Sequence, residues 1–298
     1  MAATKKIKAL LQLVDDPDHT VYDVVEKEIL KQKFGIICQL EEIWDVTPDD
    51  FTRLRVENLI QKLQFRETRE QFTQWVLNPD LNLLKGFGII ARYQYPDLNF
   101  MLLENKFERL RKEVWLELSS SLTALEKITV LNHILFSVHN FLVNHSVNEN
   151  PKNYYLNQIL ETRQCNPVSV TILYLAIAQS LELPVKFIPY PKNPLLAYVD
   201  HDLATHILGE NAFSNVIFYI NPANRGSITG RRELEYHLKK NNYVPVENYI
   251  EPADERILIL KLLFNLAELF DENNEREKSA DIREMAGILK KRMDYFAG

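Results

Sequence analysis

Residues 168–183, VSVTILYLAIAQSLEL, form a run of helical length that is apolar almost all round. A helix with one apolar stripe lies on a surface. One that is apolar on every side has to be covered on every side. The chain must therefore build layers around this segment, and 298 residues suffice for two domains, or for one core with helical additions. Hydrophobic residues at 46% and charged residues at 26% are ordinary globular values, which excludes a disordered chain, a collagen and a small disulfide scaffold. Only eight glycines means few tight turns, so the chain reads as mostly helical.

Periodicity places the elements. Ile7, Leu10, Leu11 and Val14 follow the i, i+3, i+4, i+7 spacing of one helix face. The segment DDPDHT breaks that pattern, with Asp18 or Thr20 as candidate cap, and a second stripe follows from Val21 to Leu30. A third helical segment spans about 36–44. Thr47-Pro48-Asp49-Asp50 reads as an N-cap, a proline at the first helical position and an acidic first turn, opening a helix to about Phe65. Further helices are expected near 67–77, 80–92, 99–118 and 122–143. Helix pairs joined by Asp/Pro turns suggest a HEAT-like layer, and a plain helical bundle fits the pattern equally well. After the polar stretch 144–153 the spacing predicts a short helix at 153–162, then the apolar helix. Strands are expected in VKFIPY, LLAYVD and VIFYINP, separated by turn residues. A helix capped by Ser227 or Thr229 runs to about 240. In the last segment Ile257, Leu260, Leu263, Phe264, Ala267 and Phe270 mark one helix face, and Ile282, Met285, Ile288 and Leu289 a second. The expected fold is α+β and predominantly helical: an N-terminal helical domain over 1–143, a small core with an antiparallel sheet over 144–250, and a C-terminal helical hairpin over 251–298.

The chemistry-bearing motifs are sparse. A net charge of −6 makes nucleic acid and anionic membrane poor partners by charge alone. No stretch reaches eighteen apolar residues, and the first fifteen lack the cleavage site of a signal peptide, so a cytoplasmic, reducing setting is expected. Two cysteines, Cys38 and Cys165, do not make a disulfide framework, and Cys38, within FGIICQL, reads as a small core filler. Nucleotide loops, HExxH, CxxC and EF-hand patterns do not occur, so neither cofactor nor metal is expected. His201 and His206 are five apart, the wrong interval for a shared helix face. Of His133 and His139, one is expected partly buried and one on the surface. Asn144-His145-Ser146 fits a glycosylation sequon that matters only after secretion, and the pairs 231–232 and 239–240 read as solvated basic faces.

One constellation stands apart: Asn153, Leu156, Asn157 and Leu160, then Asn166-Pro167-Val168, Leu183-Pro184, Pro191, Leu196, Tyr198, Asn221-Pro222 and Gly226. Here the chain resembles the SirB-type transglutaminase-like proteins, a branch of the papain-like transglutaminase superfamily, most clearly over about 141–240. Active members use a Cys at the N-terminus of the buried helix, where the dipole favours a thiolate, with a His and a carboxylate from following strands. The resemblance puts these roles on Pro167, Asn193 and Asn221. A proline has no nucleophile, and asparagine neither ionises near neutral pH nor acts as a base. It therefore implies a non-catalytic protein that binds protein or peptide, the helical flanks being binding surfaces. The alternative is a thiol-dependent acyl transferase or peptidase using Cys165, two residues before the family position, with His201 or His206 as partner. A purely helical scaffold with no sheet over 185–221 is the third reading. Asn153, Asn157, Arg163, Asn166, Asn193 and Asn221 either converge on a polar pocket or satisfy buried loops. The sequence leaves partner and oligomeric state open.

Overall fold

The structure, a computed structural model, describes residues 9–32, 36–144, 150–191, 193–208 and 214–297. Ile7 of the first stripe and the sequon residues His145 and Ser146 lie outside them. The chain divides into two compact units, 1–72 and 73–298.

The first unit holds α1 (His19–Leu30), α2 (Ile37–Val46) and most of α3 (Asp50–Leu77). Asp18 is the N-cap of α1, its side chain accepting from Thr20 N. The cap of α3 is Asp49 rather than Thr47: its carboxylate accepts from Thr52 N at 2.8 Å. The two helices expected at 47–65 and 67–77 are one, because Phe65-Arg66-Glu67 offers neither glycine nor proline to stop the first. Val25, Ile29, Leu40, Val56, Leu59 and Leu63 form this unit's core. Cys38 is exposed, not a core filler, since α2 turns Leu40 inward instead.

In the second unit, α4 (Leu83–Gln94), α5 (Phe100–Glu117) and α6 (Ala124–Asn132) precede a π-helical segment, His133–Val138, and a short strand β1 (Leu142–Val143). Then come α7 (Leu156–Thr162), β2 (Gln164–Cys165), α8 (Pro167–Ser180), β3 (Val185–Ile188), β4 (Leu195–Val199), α9 (His201–Leu208), β5 (Val216–Asn221) and β6 (Ser227–Thr229). Helices α10 (Arg231–Lys240), α11 (Glu247–Ile250), α12 (Arg256–Glu272) and α13 (Arg276–Ala297) complete it. The four strands from β3 to β6 pair in order and antiparallel. The purely helical reading is thereby overturned.

Helix α8 answers the demand its sequence makes. It is packed by α4 and α5, by α12, and by the sheet through β3 and β4, and every residue from Val168 to Ala178 is buried. The other sheet face is closed by α10 and α11, where Ile188, Leu195, Ala197 and Tyr219 meet Leu234, Leu238 and Ile250. Covered on both faces, β4 loses the apolar–polar alternation of a half-exposed strand and is buried from Leu195 to Tyr198.

Several elements of this unit differ from expectation. The helix expected at 122–143 ends at Asn132, passes into the π-helical segment and leaves Leu142–Val143 to β1, which pairs in parallel with β2. The turn after β4 contains α9, capped by Asp200, whose carboxylate accepts from Leu203 N at 2.9 Å. The segment given to the start of α10 is instead β6, three residues between Gly226 and Gly230, and Gly230 occupies the N-cap position in place of Ser227 or Thr229. On α12 the buried face runs through Leu258, Ile259, Leu262, Leu263 and Leu266, leaving Phe264 exposed.

The C-terminal hairpin is tied to α4 by Tyr93, whose hydroxyl donates to the Asp281 carboxylate at 2.9 Å. Burial raises the Asp281 carboxyl to about 6, against the Tyr93 hydrogen bond, with Glu284 and Glu277 adding repulsion. The folded protein thus holds a proton that the unfolded chain releases near pH 4. Stability from this group is present at low pH and is lost as pH rises from about 4 through about 6. Asp281→Asn keeps an acceptor for Tyr93 and removes the charge. Its melting temperature is expected to exceed that of the parent at pH 7 by a few degrees, on the order of 1 kcal/mol after screening of a half-exposed group, and to match it near pH 4. Thermal melts at the two pH values check this.

Candidate functional site

The N-terminus of α8 is where the resemblance places the chemistry. Asn166 adopts extended backbone, and its Oδ1 accepts from Val168 N at 2.8 Å and Ser169 N at 2.9 Å. Ser169 Oγ accepts from Asn166 N at 3.0 Å, closing a capping box. Pro167 fills the first helical position, where its missing N–H costs nothing. The Asn166 Nδ2 donates to Asn153 O at 3.2 Å, fastening the helix start to the 3-10 turn Pro151–Tyr154. These two asparagines are therefore in contact, and both are buried.

Arg163 ends α7 in the left-handed region and lays its guanidinium over the Phe141 ring at 4.9 Å; burial lowers its pKa. Asn157 is half-buried, and its Oδ1 has no hydrogen-bond partner among the described residues. Asn193 is half-buried in the β3–β4 connection, its N–H donating to Pro191 O. Asn221 ends β5 and caps the 3-10 turn Pro222–Asn224, its Oδ1 accepting from Asn224 N at 3.2 Å.

Cys165 is completely buried in β2, which pairs in parallel with β1. Burial pushes its thiol well above the usual range, and the nearby Arg163 charge only partly offsets this. The two cysteines are unpaired. His201 and His206 are exposed on α9, with His201 Nδ1 against Asn215 Oδ1. His133 is exposed and His139 partly buried, where His139 Nε2 bonds to Glu113. That bond is the main reason the Glu113 carboxyl lies below its ordinary range. Among the described residues no cluster of three His, Cys, Asp or Glu is placed to hold a metal ion, and no helix is long and apolar enough to cross a membrane.

Sequence reading missed the hub that fastens the Asn-Pro turn to α8. Tyr174 of α8 donates its hydroxyl to Asn132 Oδ1 at 2.9 Å, and Asn132 Nδ2 donates to Gly226 O at 2.8 Å. Arg225 donates to Phe136 O within the π-helical segment at 2.6 Å, satisfying a carbonyl where the regular ladder is broken. Gly226 was visible as part of the motif. Asn132, 94 residues away, carried no local signal.

A buried helix started by Asn-Pro, backed by an antiparallel sheet whose third strand ends in a second Asn-Pro, defines a transglutaminase-like core. Residues 102–264 match the family model described as the transglutaminase-like superfamily, and the chain belongs to that superfamily. It is 27% identical over 210 residues to a UPF0162 protein of Xylella fastidiosa strain 9a5c, spanning 67% of this chain and 69% of the relative. A UPF0162 protein of strain Temecula1 is 26% identical over the same length. No solved structure matches.

Proposed function

We propose that this chain is a non-catalytic, SirB-type transglutaminase-like protein that acts by binding protein or peptide. The start of α8 carries the reading. Where the family places its nucleophile stands Pro167, and the amide beside it is committed to capping the helix. The other two family positions are amides as well: Asn221 caps its own turn, and neither it nor Asn193 ionises or acts as a general base near neutral pH. The neighbouring thiol does not substitute. A nucleophilic cysteine needs access and a lowered pKa, whereas Cys165 is inaccessible and its thiol is raised by burial. His201 and His206 are exposed, whereas the Cys165 sulfur is fully buried.

Alkylation tests the reading with an internal reference, because Cys38 is exposed and Cys165 buried. With iodoacetamide at pH 7, Cys165 is expected to react more than about 100-fold slower than Cys38, and at a similar rate once urea unfolds the chain. Mass spectrometry of tryptic peptides reads both sites. A Cys165 that alkylates faster than Cys38 in the native protein overturns the non-catalytic reading in favour of a thiol enzyme.

A further inference from the structure

A cleft of about 860 Å³ opens between the start of α4, the first half of α5 and the C-terminal end of α8. That volume lies in the upper part of the range for pockets that hold ligands. Its floor is apolar, with Leu83 and Phe107 nearly fully buried and Leu81 and Leu84 half-buried. Its rim carries Asp80, Glu104 and Glu108, and among the described residues no Lys, Arg or His lines it. Glu108 pairs with Arg111 on the exposed side of α5. The Asp80 and Glu104 side chains have no hydrogen-bond or ion-pair partner among the described residues.

The negative end of α8 at the cleft is muted by its own caps, Leu181 N–H donating to Ile177 O and Ala178 O, Glu182 N–H to Gln179 O and Leu183 N–H to Ala178 O, so the charge of the cleft is that of its rim carboxylates. The Gln179 amide donates to Glu255, and the Ser180 hydroxyl donates to Ile177 O. The opposing positive end of α4 is muted, since its Lys85 N–H donates to Asn82 Oδ1 at 2.8 Å.

We propose that this cleft receives a basic amphipathic peptide segment of a partner protein. Apolar side chains cover the Leu81, Leu84 and Phe107 floor, and Lys or Arg heads meet Asp80 and Glu104. The proposal deepens the reading of the chain as a binding module and rests on it. A small polyamine satisfies the rim and leaves the apolar floor wet. An acidic segment meets like charge. A segment with both faces uses the whole cleft, as amphipathic helices do in grooves.

Fluorescence anisotropy on the full chain tests it, using a short labelled peptide with lysine and leucine on opposite helical faces. Binding is expected, weakening as salt is raised. It is also expected to weaken at least about tenfold in the double variant Glu104→Lys, Glu108→Lys, and again in Asp80→Lys. These side chains are exposed, so circular dichroism should report an unchanged fold, and the loop variant serves as the second measurement if the helix variant fails to fold. A glutamate–leucine counterpart should not bind, and spermine at equal charge should not compete. The cleft assignment is overturned if the charge-reversed proteins bind the lysine–leucine peptide like the parent, or if an all-lysine peptide binds equally well. Cys165 alkylation is independent of this result. An inert thiol with no peptide binding removes the cleft alone, whereas a reactive thiol removes the non-catalytic reading whatever the peptide does.

Discussion

Replacing Gly226 with alanine is expected to destabilise the protein by about 4 kcal/mol, a loss large enough to threaten folding at 37 °C. Two costs add. Gly226 sits at φ +71°, a backbone conformation that costs an L-residue about 1–2 kcal/mol. The second cost is steric. A Cβ built at position 226 falls 1.8 Å from Asn132 Oδ1 and 2.6 Å from its Nδ2. Asn132 cannot stay, and its leaving breaks the bonds to the Tyr174 hydroxyl and the Gly226 carbonyl. A buried polar group left without a partner costs about 1–3 kcal/mol. Tyr174→Phe isolates one limb of this hub, since Tyr174 is fully buried, and is expected to cost about 1–2 kcal/mol. Urea denaturation followed by circular dichroism ranks the two. An alanine variant that loses less than the phenylalanine variant would mean that Asn132 is not held where its bonds place it.

That hub marks the limit of what the sequence makes legible. Local signals carried well. Asn166-Pro167 announced a helix start, and the start is built as a capping box. The all-apolar run demanded cover and has it on every side. Strands β3, β4 and β5 were readable from their β-branched and aromatic residues, ending within two residues of expectation, whereas the two-residue β1 and β2 were not. Failures arose where the deciding partner is distant or the signal is short. α9 is eight residues long, and its Asp200 cap was hidden by its place between two strands. β6 is three residues long and was absorbed into the helix that follows. The exposure of Cys38 could not be read from its apolar neighbours, because the turn of α2 decides which of them faces inward. At the candidate site the sequence supplied the residues, while their commitments came only from geometry. Asn166 grips Asn153, Asn221 caps its own turn, and Arg163 lies on Phe141.

Asn166→Ala is expected to cost about 3 kcal/mol and to change the chemistry of the residue next to it. Loss of an N-cap acceptor alone costs about 1–2 kcal/mol. Here the residue is 1% exposed, so water does not replace the acceptor for the Val168 and Ser169 N–H groups, and Asn153 O loses its donor as well. Asn166→Ser retains one short acceptor and should fall between parent and alanine. The loss is concentrated at the helix start, so local opening there becomes easier than global unfolding. Cys165 lies in the adjacent strand and reacts only when that region opens. At tenfold per 1.4 kcal/mol, its alkylation rate should rise roughly 100-fold in Asn166→Ala while Cys38 stays constant. This separates two uses of the same asparagine. If it is spent on holding the helix start, stability and thiol protection fall together. If Asn166→Ala melts and alkylates like the parent, the amide is free of structural duty and the capping box of Asn166 and Ser169 does not hold the helix start.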